Sequence, residues 1–164
     1  MNALVVYESL WGNTAAIAQA IAEGLGPDAA ALTTSEATPL AVASAELVVA
    51  GAPLLGFALP TDSIRDSIRS DPQHRQNPAD LSHPSMRSWI ESLPTLGAAA
   101  AAFETRIWWS PGSSAKKIAS LLTEKGLRTV APPQRFIVTD KYGPLKAGEL
   151  DRAREWGAEL ATSM

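Results

Sequence analysis

Tyr7-Glu8-Ser9-Leu10-Trp11-Gly12-Asn13-Thr14 joins an apolar run to a helical pattern, and the fold turns on that junction. Before it, Ala3-Leu4-Val5-Val6-Tyr7 is short, apolar and partly β-branched, the signature of a buried strand. After it, Ile17, Ile21 and Leu25 recur at i, i+4 and i+8, one face of a helix. Between them lies a tight strand-to-helix turn rich in hydroxyls. The first N–H groups of a helix lack partners within the helix, and the helix dipole favours negative charge beside them. Ser9 and Thr14 add hydroxyls, Asn13 adds an amide, and Gly12 lets the main chain approach a ligand closely. That chemistry suits a phosphate monoester. It also suits a plain capped helix, in which Ser9 or Asn13 satisfies the orphan N–H groups. No Gly-Lys-Ser/Thr follows, and the spaced glycines of a dinucleotide fingerprint are missing, so the turn is neither of those phosphate loops.

A chain of 164 residues supports one well-packed domain, here residues 1–164, and is short for two. Hydrophobic content of 46% with 19% charged residues is globular. A net charge of -3 and a pI near 5.4 argue against a nucleic-acid binder held by phosphate contacts, and fit weak docking onto a basic partner. With no cysteine, the chain makes no disulfide, iron–sulfur ligation or thiol nucleophile. Neither a signal peptide nor an apolar run approaching the ~20 residues of a membrane span is visible, so a soluble, cytoplasmic protein without membrane contact is expected.

Along the chain, Gly26-Pro27 stops the first helix. Ala29 to Leu32 reads as a second strand, and Pro39 to Ala45 as a short helix. Glu46-Leu47-Val48-Val49-Ala50-Gly51 is a continuously apolar third strand, the kind that helices cover on both faces. The following segment, Ala52-Pro53-Leu54-Leu55-Gly56-Phe57-Ala58-Leu59-Pro60, is apolar where a solvated loop should be polar. Such residues cover something, either the sheet edge or a planar ring system.

Residues 60–84 carry four prolines among many charges and are the least regular stretch. Within them Asp62-Ser63-Ile64-Arg65 repeats as Asp66-Ser67-Ile68-Arg69, which stacks Ile64 on Ile68 along a short solvated helix. A lid or partner-docking segment is the other reading. His74 and His83 read as surface residues, with no cluster of metal spacing around them. Met86, Trp89, Ile90 and Leu93 mark a core-facing helix, with Pro84 in its first turn. Ala98 to Phe103 begins a fourth strand reaching towards Ile107. Trp108 and Trp109 cannot both face one side of a strand, so at least one meets a surface or a ligand. Ser113 or Ser114 opens a helix through Ile118, Leu121 and Leu122 to Lys125-Gly126. Phe136-Ile137-Val138, after Pro132-Pro133, forms a fifth strand. The last helix is expected from Lys146 to Ala161, with Leu150, Ala153, Gly157 and Leu160 on one face.

Strand and helix alternate about five times, the pattern of an α/β sandwich with a parallel sheet. Right-handed crossovers put every strand-to-helix loop at one sheet edge, where ligands bind as strand order reverses. The hydroxyl-rich turn, the Pro53–Phe57 loop and the Thr105–Trp109 segment then meet, anion donors at one end and apolar faces at the other.

Ser9-x-x-Gly12-Asn13-Thr14, Gly51-Ala52-Pro53, Phe103-Glu104-Thr105-Arg106 and Gly143-Pro144-Leu145, in this order, resemble the flavodoxin family, particularly flavodoxin-like proteins of actinobacteria. The resemblance implies a flavodoxin-like three-layer sandwich: a five-stranded parallel sheet with helices on both faces. It implies FMN as cofactor, with Ser9, Leu10, Trp11, Gly12, Asn13 and Thr14 around its phosphate. Ala52, Pro53, Leu54, Leu55, Gly56, Phe57, Thr105, Arg106, Trp108 and Trp109 would enclose the flavin ring. The function implied is electron transfer between a reductase and an acceptor protein, without nucleic acid or metal. The alternatives are an FMN-dependent NAD(P)H:quinone-type reductase and a flavodoxin-shaped module that has lost FMN, for which Leu54-Leu55 is the best argument.

Overall fold

The computed structural model describes residues 1–164. In chain order the elements are β1 (Ala3–Tyr7), α1 (Asn13–Leu25), β2 (Ala29–Thr33), α2 (Pro39–Ala43), β3 (Leu47–Pro53), α3 (Asp62–Ser70), α4 (Met86–Ser92), β4 (Ala99–Ile107), α5 (Ser114–Glu124), β5 (Arg128–Thr129), β6 (Gln134–Val138) and α6 (Glu149–Thr162). A short 3-10 helix, Pro72–Arg75, lies between α3 and α4.

All strand pairs are parallel, in the order β2-β1-β3-β4 with β5 and β6 both on the outer side of β4. The five-stranded sheet read from the sequence therefore has six strands. Its fifth position is shared by β5, against Ala99 and Ala100, and β6, against Phe103 to Ile107. Pro132-Pro133 separates them because proline has no N–H to give the ladder, and this edge tolerates the break. The order 2-1-3-4-5 is that of flavodoxins, and it reverses direction between β1 and β3.

Alternation within the strands divides the core into two layers. Leu4, Val6, Val48, Ala50, Ala100 and Ala102 meet α4 and α5 on one face. Val5, Leu47, Val49, Ala101 and Phe103 meet α1 and α6 on the other. Both layers being covered explains why these strands read as unbroken apolar runs. Helices α1 and α6 touch through glycines: a Cβ at Gly157 would stand 2.3 Å from the Ile21 carbonyl oxygen.

Several boundaries differ from the sequence reading. β3 continues through Ala52 and Pro53, so two residues assigned to the apolar loop belong to the strand. Pro84 lies outside α4, whose N-cap is Ser85, its hydroxyl accepting from the Ser88 N–H. Helix α6 starts at Glu149 after Gly148 in the left-handed region, which turns Leu150 outward. The expected core stripe of Met86, Trp89, Ile90 and Leu93 is fully buried.

Candidate functional site

The end of β1 delivers the chain into the turn. Gly12, at φ +93°, takes the N-cap position of α1 and offers it no side chain. Ser9 Oγ instead accepts from the N–H groups of Gly12 and Ala15, both at 3.2 Å. Ser9 and Gly12 thus serve the helix cap. The N–H groups of Asn13 and Thr14, in the first helical turn, have no acceptor within the chain. Thr14 Oγ1 lies 2.8 Å from Thr105 Oγ1, a buried hydroxyl pair that ties the turn to β4.

Behind the turn stands a group that the sequence reading missed. Glu8 is only 3% exposed. Its Oε2 accepts from Arg65 Nη1 at 2.6 Å, and its Oε1 accepts from the Met86 N–H at 3.0 Å. Arg65 Nη2 also donates to the carbonyls of Leu81 (3.3 Å) and His83 (2.6 Å). Burial pushes the Glu8 carboxyl above its ordinary range, against the pull of the Met86 N–H and the Arg65 guanidinium.

Trp11 makes a second set of ties. Its Nε1 donates to the Asn77 carbonyl at 3.1 Å, and its ring meets Tyr142 edge-on at 5.0 Å. The Asp80 N–H donates to the Leu10 carbonyl at 2.8 Å. Residues 60–84, expected as a solvated turn, are laced across this loop by Arg65, Asn77 and Asp80. His74 and His83 are half-buried in the same segment rather than free on the surface: His74 Nδ1 accepts from the Ala79 N–H, and His83 Nδ1 pairs with Ser35 Oγ.

The facing loops are built differently. Leu55 and Ala58 exchange N–H···O bonds of 3.0 and 3.1 Å across Gly56-Phe57, whose φ values are +55° and +63°. Positive φ at both central residues is the two-residue type I′ hairpin turn. Phe57 is the one non-glycine residue in that region, which disfavours a bulky side chain, and its ring is 60% exposed. Gly112, at φ +91°, packs directly under it, where a Cβ would stand 2.0 Å from the Phe57 carbonyl oxygen.

After β4, Glu104 accepts from Ser113 Oγ (2.8 Å) and from the Ser114 N–H (3.2 Å). Arg106 donates to the carbonyls of Gly112 (2.8 Å) and Ile107 (3.3 Å) and stands 3.8 Å from Glu104. This network holds the loop while Trp108 and Trp109 project from it, 72% and 62% exposed. Where at least one tryptophan was expected at a surface, both face outward.

Leu10, Trp11, Asn13, Thr14, Pro53, Leu54, Leu55, Thr105 and Arg106 line one crevice enclosing about 60 Å³. Ile107, within the expected Thr105–Trp109 segment, lines it too, as do Val138 and Lys141, which were not expected. Lys141 comes from the loop after β6, which no residue pattern brings here; its Nζ stands 5.9 Å from the Trp11 ring centroid. Of the other expected residues, Ser9 and Gly12 line the reverse side of the turn, and Ala52 is buried in the core. Gly56, Phe57, Trp108 and Trp109 lie outside the enclosed space. Cofactor clefts usually measure about 300–1,000 Å³. The enclosed part is smaller than that, so it would hold only part of a cofactor, and the rest of a ring system would lie against the open aromatic side. With unused N–H donors at one end and apolar faces at the other, the residues present fit a flavin mononucleotide.

No family model matches the chain, and no curated protein matches it in sequence. Solved structures do. A flavodoxin from the domain Archaea superposes with a TM-score of 0.69 at 22% identity, covering 99% of this chain and 97% of its own. Oxidised Flavodoxin 2 from Bacillus cereus gives 0.69 at 12% identity, with all of both chains covered. A flavodoxin, WrbA-like protein from Agrobacterium tumefaciens gives 0.60 at 17% identity, over 98% of this chain and 95% of that one. The fold is flavodoxin-like. No helix is long and apolar enough to cross a membrane.

Proposed function

We propose that, on this flavodoxin-like fold, the crevice at the ends of β1, β3 and β4 binds FMN and the chain carries electrons between a reductase and an acceptor protein in the cytoplasm. The observation that carries the reading is the convergence of three loops of complementary chemistry at the one place where strand order reverses. The N–H groups of Asn13 and Thr14 and the Thr14 hydroxyl would bind the phosphate, and Lys141, which also stands 3.8 Å from Asp71, would add positive charge at the rim. Leu54 and Leu55 exclude water from one side of the ring and disfavour negative charge building up there. Phe57, Trp108 and Trp109 offer aromatic surface beside it. When bound, FMN supplies one- and two-electron chemistry, while the protein positions it and tunes its potential.

One feature favours the NAD(P)H:quinone-type reductase as a second reading. Leu55, Gly56, Ile64 and Ile68 line an open shelf of about 220 Å³ beside the crevice, large enough for a small planar substrate.

Titration of the purified protein with FMN, followed by flavin absorbance and fluorescence, tests the main proposal. Saturable uptake at one site per chain is expected; protein that stays colourless overturns it. Steady-state NAD(P)H oxidation with a quinone then separates the readings, since a carrier shows negligible turnover without a reductase.

A further inference from the structure

We propose that the Glu8–Arg65 ion pair balances charge behind the phosphate-binding turn and thereby sets its preference for phosphorylated over unphosphorylated flavin. The inference rests on the FMN reading above and deepens it.

Glu8 is the residue immediately before Ser9, and its carboxylate is buried with the Arg65 guanidinium 2.6 Å away. Together with Ser9, Gly12 and Ala15, both line a cavity of about 270 Å³ on the reverse of the turn. Across that cavity the carboxylate faces the first turn of α1, whose N–H groups and dipole are what the site offers an anion. An uncompensated carboxylate there would cancel that attraction. At the effective dielectric of a protein, a unit charge about 8 Å from a unit anion changes its affinity by about 30-fold. Arg65 removes this penalty, and the Met86 N–H shares the carboxylate's remaining lone pairs. The other charged or titratable groups on the same cavity are Tyr7, Asp80 and His83. None makes a hydrogen bond to the Glu8 carboxylate; Arg65 is the one cation bonded to it, while Arg87 acts on it from further off and Asp80 draws on the charge of Arg65 as well.

The two residues are positioning residues: they act through the turn without touching the flavin. Two roles predict different outcomes. If the pair merely props the loop, any change to it weakens every ligand alike. If it balances charge, the ratio of FMN to riboflavin affinity follows the net charge left behind.

The experiment measures dissociation constants for FMN and riboflavin by flavin fluorescence at pH 8, where the phosphate monoester is a dianion. Wild type, Glu8→Gln, Arg65→Met and the double variant Glu8→Gln/Arg65→Met are compared. Glu8→Gln, which leaves a lone cation, is expected to raise the ratio about 30-fold or more, and Arg65→Met to lower it by as much. The double variant should return within about threefold of wild type. Should Arg65→Met fail to fold, Glu8→Gln against the double variant decides the matter alone. Ratios within twofold of wild type throughout, or falling together, overturn the inference while leaving FMN binding intact. Wild-type protein that takes up no FMN overturns both readings at once.

Discussion

The two ends of the crevice are built in opposite ways. At the anion end the Ser9–Thr14 turn is tied from every side: Ser9 to its own helix, Thr14 to Thr105, Leu10 to Asp80 and Trp11 to Asn77. Glu8, beneath it, is anchored to α3 and α4. At the ring end, a two-residue hairpin holds Phe57 in a disfavoured conformation, and the loop after β4 shows two tryptophans to solvent. Directional donors must be preset to recognise a small, highly charged group. Apolar surface tolerates adjustment, because burial has no preferred direction. On the proposed FMN reading, the anion end would accordingly be a preformed socket and the ring end a surface that adapts.

The sharpest way to break this contrast is to attack the socket's support. Arg65→Met leaves the Glu8 carboxylate buried without its cation, and losing one partner of a buried pair costs about 3–5 kcal/mol. Urea unfolding should show that loss, while Arg69→Met one turn on should change stability by less than about 0.5 kcal/mol, because the Arg69–Asp66 pair is exposed.

That pair of arginines also shows where the sequence stops being legible. Asp62-Ser63-Ile64-Arg65 and Asp66-Ser67-Ile68-Arg69 are identical as local sequence, yet one guanidinium is buried and the other solvated. Thr61 caps α3 and fixes its phase, and the phase aims Arg65 at Glu8 across 57 residues of chain. Spacing cannot carry that information. Glu8 itself was the available signal: a carboxylate between a buried strand and a hydroxyl turn needs a partner.

The strands and most helices were legible because their periodicities report burial directly. β5 was not visible in advance, since Arg128-Thr129 is an exposed polar pair with no apolar run to mark it, whereas Phe136-Ile137-Val138 marks β6. Arg106 had the right place in the chain for a ring contact, and it does line the crevice, but its donors are spent on Gly112 and Ile107. Lys141 was invisible because the β6–α6 connection reaches the crevice only through the sheet order.

A smaller effect separates two glycines. Gly112→Ala adds a methyl 2.0 Å from the Phe57 carbonyl in a backbone region unsuited to alanine, and should cost about 2–3 kcal/mol by pushing the ring-side loops apart. Gly12→Ala meets nothing within 4 Å, so it bears only the conformational penalty of about 1 kcal/mol. Thermal unfolding of the two variants should rank them in that order. Between the ends, Thr14→Val leaves the buried Thr105 hydroxyl without its partner and should cost about 1–2 kcal/mol. Thr14→Val/Thr105→Val should recover much of that stability yet still bind FMN more weakly, since a donor to the phosphate is lost.

The smallest stability effect belongs to the tryptophans, and it tests the contrast most directly. Trp108→Ala and Trp109→Ala remove side chains that are mostly in water, so unfolding free energy should move by no more than about 0.5 kcal/mol. Aromatic stacking on a ligand is worth about 0.5–1.5 kcal/mol beyond area burial. Whichever tryptophan meets the ring should therefore weaken FMN and riboflavin binding about three- to tenfold, and equally for both, because it sees the ring and not the phosphate. Thr14→Val, in contrast, should weaken FMN alone. If the tryptophan variants discriminated between the two flavins as strongly as Thr14→Val does, the ends would not be separable, and the division into socket and adaptable face would fail. Equal losses for the two flavins would take recognition of charge off the ring side and leave it to the turn after β1 and Lys141 at the rim.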